Sequence, residues 1–64
     1  MKTIKLFRAN GNWMSWMEDD PEILQLFGTD IIPTAYTDQV DPEQVRQAIQ
    51  RLNPDANVII LVSV

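Results

Sequence analysis

The dipeptide Asn10-Gly11 constrains the fold of this chain more than any other feature. A type I′ turn needs positive φ at both central residues, which Asn and Gly tolerate best. Residues 3–9 are rich in Thr, Ile, Leu and Phe and favour a strand. Residues 12–17 also fit helical spacing, but their aromatic content and the preceding turn favour a returning strand. The sequence therefore predicts an N-terminal β-hairpin.

Two Asp-Pro-Glu triplets mark the beginnings of two helices. Asp20 and Asp41 are the expected N-caps, because a carboxylate accepts from the free N–H groups of the first turn. Pro suits the first helical position, and Glu complements the helix dipole. The shared triplet is interpreted as two similar helix starts rather than as an internal repeat.

The first helix is expected to cover residues 21–27 and to end at Gly28. Its apolar side chains are predicted to be buried: Ile23, Leu24 and Phe27. The second helix is predicted over residues 42–52, ending at Asn53-Pro54. Its apolar residues recur with helical spacing and predict one buried stripe: Val45, Ala48, Ile49 and Leu52.

The rest of the chain completes a small sheet. Residues 29–39 are predicted as an extended connection, or as a short edge strand, because Pro33 has no N–H to give to a ladder. The unbroken β-branched run within residues 57–63 predicts a last strand that is apolar on both faces. The prediction is a single α+β domain over residues 1–64. Its mixed three-stranded sheet has the order 2-1-3, with two short helices on one face.

Composition excludes the common catalytic centres. The 64 residues contain no Cys and no His, which removes thiolate zinc sites, disulfides and the Ser-His triad. Ser15 and Ser63 are the only serines, and neither lies in a nucleophile turn. A cluster of acids could attract a divalent cation, but its spacing matches no calcium loop. The cluster comprises Glu18, Asp19, Asp20 and Glu22. We therefore expect a protein that is not an enzyme and has no cofactor or metal.

The charge of the chain bears on its partners. A net charge of −4 and a pI near 4.3 argue against nucleic acid, although Lys2, Lys5 and Arg8 share a strand with aromatic neighbours. No apolar run approaches the roughly 20 residues of a membrane span, and the N-terminus does not resemble a signal peptide. We expect a cytoplasmic protein that does not bind membranes.

Side-chain alternation in the hairpin predicts the candidate binding surface. One face carries Ile4, Leu6, Arg8, Trp13 and Met17, and the other carries Lys5, Phe7, Met14 and Trp16. Two short helices can cover only one face, so Phe7, Met14 and Trp16 stay accessible unless the acidic connection folds over them. Trp13 is the fourth candidate binding residue, with a cation–π contact to Arg8 as its alternative role.

These features favour a non-catalytic protein-interaction module that acts through the hairpin surface. Its partner would be another protein or a second copy of the chain, because so small a domain gains stability from association. One alternative is a small-ligand or cofactor binder that uses Trp13 or Trp16 as a stacking wall. Another is a small acidic inhibitor or decoy protein.

Overall fold

The computed structural model describes residues 2–17 and 20–61. The described elements are, in chain order, β1 (Thr3–Ala9), β2 (Asn12–Trp16), α1 (Pro21–Phe27), β3 (Ile31–Thr37), α2 (Pro42–Leu52) and β4 (Asn57–Ile60). The strands form one mixed sheet with the order β3-β2-β1-β4. The predicted α+β class is therefore confirmed. No helix within the described residues is long and apolar enough to cross a membrane.

The hairpin forms as predicted. Asn10 and Gly11 have φ of 54° and 77°, which is the left-handed backbone that a type I′ turn requires. Phe7 pairs with Met14, and Lys5 pairs with Trp16, in the antiparallel ladder. The two-residue turn thus sets the register of β1 and β2.

The prediction of three strands was wrong, because residues Ile31–Thr37 form a fourth strand, antiparallel to β2. It lies at an edge of the sheet, which confirms the alternative of an edge strand for this segment. Met17 N–H donates to Asp30 C=O at 2.9 Å, so Ile32 is the next residue of β3 that faces the β2 backbone. Pro33 therefore sits where its N–H would point away from β2. Because that missing donor faces outward, the proline costs the ladder no hydrogen bond.

The last strand occupies the opposite edge. β4 runs parallel to β1, as predicted, and the neighbours β2, β1 and β4 have the predicted order. Because β3 also runs parallel to β1, α2 carries the chain from one edge of the sheet to the other. β4 ends at Ile60, and the predicted continuation through Val62 and Ser63 lies outside the described residues.

The core lies between α2 and one face of the sheet. Its buried members come from three strands and the helix: Ile4, Leu6, Trp13, Val45 and Val58. Met17, Tyr36, Val40, Ile49 and Ile60 pack around them. The indole Nε1 of Trp13 donates to Val40 C=O at 2.9 Å, which satisfies the one polar atom of this buried side chain.

Two predictions about the core were wrong. Leu52 is 77% exposed, and α1 has no buried residue although Ile23, Leu24 and Phe27 are predicted to be buried. Helical spacing fixes the direction of a side chain around the helix axis, but not whether a sheet lies beneath that turn. α2 already covers the sheet face that holds the core. α2 occupies the predicted place on that face, whereas α1 contributes no buried residue to the core.

Candidate functional site

The two faces of the sheet differ in burial. All buried sheet residues have side chains on the face that packs against α2, hereafter the covered face: Ile4, Leu6, Trp13, Ser15 and Val58. The opposite face is hereafter the open face. Its larger side chains include Lys5, Phe7, Met14, Trp16, Ile31, Pro33 and Ile59. Each open-face residue retains solvent exposure.

Strand register arranges the open face in two rows. Phe7, Met14 and Pro33 lie side by side across β1, β2 and β3. In the second row, Lys5 lies between Ile59 of β4 and Trp16 of β2. Cross-strand neighbours on one face contact each other, so the rows form a continuous apolar surface with one cation near its centre.

Trp16 is held in place from two sides. Its Nε1 donates to Asp30 Oδ2 at 3.1 Å, which ties the indole to the residue before β3. The Lys5 ammonium lies over the ring, 4.6 Å from its centroid. A cation at this distance interacts favourably with the π face of the indole. The indole of Trp16, the largest aromatic ring on the open face, is therefore restricted in orientation before any partner binds.

The structure separates Trp13 from the other predicted binding residues. Phe7, Met14 and Trp16 lie together on the open face, whereas Trp13 is 1% exposed and lies in the core. Its ring meets the Arg8 guanidinium at 4.6 Å, which confirms the predicted cation–π pair. We therefore exclude Trp13 from the candidate surface.

Three apolar side chains of α1 are also exposed, which the sequence did not predict. Leu24, Leu26 and Phe27 are 43%, 76% and 58% exposed. The apolar pattern of α1 is real, but α1 buries no residue although the open face of the sheet is uncovered. Helical spacing gives the direction of apolar side chains around the axis and does not say which surface, if any, they pack against.

Within the acidic cluster, Asp20 caps the N-terminus of α1 and pairs with a lysine. Asp20 Oδ1 accepts from the N–H groups of Glu22 and Ile23, and Oδ2 meets Lys2 Nζ at 3.1 Å as an ion pair. The Lys2 ammonium lowers the pKa of Asp20, as do the helix N–H groups, against burial, which raises it. Glu18 and Asp19 lie outside the described residues. Among those described, no group of His, Cys, Asp or Glu is arranged to hold a metal ion.

Two surface cavities lie away from the open face. One, of about 560 Å³, is lined by Arg46, Gln47, Gln50, Arg51 and Pro54. Another, of about 380 Å³, is lined by Lys2 and residues 52–56. Neither is lined by Trp13 or Trp16, so neither supplies the stacking wall of the ligand-binding alternative.

No family model, curated protein or solved structure matches this chain.

Proposed function

We propose that the protein is a non-catalytic interaction module whose open face binds an amphipathic helix of a partner protein. One observation carries the proposal: every buried residue of the sheet lies on the covered face, while an apolar surface of comparable composition faces solvent. Contiguous apolar surface of this kind marks interaction sites more often than it persists unused on a monomer.

The chemistry of the partner follows from the layering of the fold. On the covered face, an 11-residue amphipathic helix packs against the sheet and buries Val45. Domains bury the apolar face of a sheet against a second packed layer of secondary structure, and a helix is one of the common layers. A helix with an apolar stripe would complete the third layer, in the manner of helix-in-groove recognition. No residue of the two rows is acidic, and the Asp30 carboxylate beside Trp16 already accepts a hydrogen bond from its Nε1.

Trp16, Phe7 and Met14 are the expected anchors of this interaction. Trp, Phe and Met are enriched in the buried centres of interfaces, and Trp is the commonest type among energetic hot spots. The contacts of Trp16 with Asp30 and Lys5 already restrict its ring. Ordering before association lowers the entropic cost of binding.

Site-specific photo-crosslinking in an extract of the native host tests the proposal. A photoreactive amino acid replaces Met14 on the open face in one variant, and Leu52, an exposed leucine of α2, in the matched control. The crosslinked segment is identified by mass spectrometry, and the identified protein is then purified for binding measurements with the wild-type chain.

The expected adduct forms from position 14 and not from position 52, and it maps to an amphipathic helix. Met14→Glu should weaken binding of the purified partner by about tenfold or more, because a buried charge is costly, while Leu52→Glu leaves it nearly unchanged. Equal adducts from both positions, equal affinity of both variants, or a crosslinked segment without helical periodicity would each contradict the proposal.

A further inference from the structure

The two edges of the sheet differ in their protection against strand pairing. At β3, Pro33 sits where an N–H would face outward, so this edge lacks a donor at that position. At β4, the sequence Asn-Val-Ile-Ile contains neither proline nor charge. Natural sheets commonly protect an exposed edge with one of these features. The β4 edge is therefore suited to pairing.

The ladder between β1 and β4 shows which backbone groups of β4 face outward. Asn57 N–H donates to Lys2 C=O at 2.7 Å, and Leu61 N–H donates to Leu6 C=O at 2.8 Å. In a parallel ladder, alternate residues of a strand bond to the same neighbour. The N–H and C=O groups of Val58 and Ile60 therefore point away from β1. Within the described part of the chain, no strand pairs with them.

We infer that β4 pairs antiparallel with β4 of a second copy of this chain, across a two-fold axis at Ile59. In this register Val58 lies opposite Ile60 of the second copy, and the two residues exchange N–H···O=C bonds. The symmetry repeats the exchange on the other side of the axis. Every outward N–H and C=O of Val58 and Ile60 then has a partner.

The side chains of β4 are also compatible with a two-fold axis at Ile59. Ile59 meets its own symmetry mate on the open-face side, while Val58 and Ile60 meet across the interface on the covered-face side. Residues 57–61 carry no charge, so the two-fold brings no like charges together along the paired segment. A two-fold dimer needs this self-complementarity, because each copy presents the same surface.

Edge pairing is independent of the proposed helix-binding function. An axis perpendicular to the sheet joins the two sheets edge to edge and keeps both open faces on the same side. The dimer therefore leaves the open face accessible, and either proposal can fail without the other.

A single backbone modification tests the pairing. A chain of 64 residues is accessible to chemical synthesis, so N-methyl-isoleucine can replace Ile60. This removes an outward N–H without changing the side chain or the bonds to β1. Analytical ultracentrifugation of the unmodified chain, the N-methyl chain and Met14→Glu gives the dimer dissociation constants. Hydrogen exchange of the Val58 and Ile60 amides in the unmodified chain, at low and high concentration, is a second measurement that needs no variant.

We expect the unmodified chain to dimerise and N-methylation to raise the dissociation constant by about thirtyfold or more, since it removes one bond from each side of the axis. Met14→Glu should dimerise like the unmodified chain. The Val58 and Ile60 amides should exchange more slowly as concentration rises. A monomer at hundreds of micromolar, exchange that is independent of concentration, or a dimer disrupted by Met14→Glu and not by N-methylation would overturn the inference.

Discussion

Leu6 and Leu52 are the same residue type at opposite extremes of exposure, 0% and 77%. Leu6→Ala should lower the free energy of unfolding by about 2–5 kcal/mol, because it removes buried methyl groups and leaves a cavity. Leu52→Ala deletes methyl groups that are already exposed to solvent, so it should change the free energy of unfolding by less than about 0.5 kcal/mol. Urea unfolding of both variants gives the comparison, and a large loss for Leu52→Ala would mean that α2 packs differently.

Asp41 caps α2 as the sequence predicts, with Oδ2 accepting from Glu43 N–H at 3.1 Å. Asp41→Ala leaves that N–H without its side-chain partner and should cost about 0.5–2 kcal/mol. Asp41→Asn keeps an acceptor oxygen in the same place and should cost much less. Denaturant midpoints for the three proteins test this expectation, and equal midpoints would show that the bond adds nothing to stability.

Asp20 and Lys2 should make stability depend on acidity. The pKa of Asp20 is lowered from its ordinary value of 3.8, chiefly by Lys2, so the unfolded chain binds this proton more tightly than the folded one. The resulting stability is complete above the ordinary pKa and is lost as pH falls through the lower folded pKa. Urea midpoints measured from pH 6 to pH 2 should therefore decline for the wild type.

A double-mutant cycle assigns this decline to the pair. Asp20→Asn keeps an oxygen for the cap but removes the charge, and Lys2→Met removes the cation. Each variant should show a shallower decline with acid, and the double variant should be no shallower than Asp20→Asn. Additive effects would mean that Lys2 acts on other carboxylates instead. Glu43, whose pKa is lowered by Arg46, contributes a decline of the same sign in all four proteins.

Among the elements, those with local chemical signals were predictable from sequence. The hairpin, both N-caps and the left-handed Gly28 depend on residues within a few positions of each other, and all were correctly assigned. Residues 29–39 stayed open between an extended connection and an edge strand, because the pairing of β3 with β2 depends on the direction in which Pro33 would present its missing N–H, and that is a property of the assembled sheet. The open face was predictable because alternation and the Asn10-Gly11 turn together determine the register.

Of the two described helices, α1 should be the less stable against local opening. It has no buried residue, whereas α2 buries Val45 against the sheet. Amide hydrogen exchange should therefore show α1 opening at a much lower free energy than the middle of α2, whose opening approaches global unfolding. Similar protection for both helices would indicate that the exposed surface of Leu24, Leu26 and Phe27 is covered in solution, either by another copy or by a part of the chain outside the described residues.

The whole molecule is a two-layer structure in which a single helix covers a sheet that is apolar on both sides. Covering the second face or extending the β4 edge would each bury apolar surface that the isolated chain leaves in water. A domain of this size has few internal means of compensating for exposed apolar area, because it has neither disulfides nor a His or Cys ligand for a structural metal. Helix binding on the open face and pairing through β4 would therefore each reduce the exposed apolar area, at different places on the sheet.

The two tryptophans lie on opposite faces of the sheet, so their fluorescence reports on the solvent exposure of each face. Trp13 is 1% exposed, whereas Trp16 is half-buried on the open face. Acrylamide should therefore quench Trp16 readily and Trp13 hardly at all, with Trp16→Phe providing the emission of Trp13 alone. Pairing through β4 leaves the open face in water, so quenching of Trp16 should not change as the chain dimerises. Quenching of Trp16 that falls with protein concentration would show that copies meet face to face, and a Trp16 as shielded as Trp13 at every concentration would show that the open face is covered within one chain.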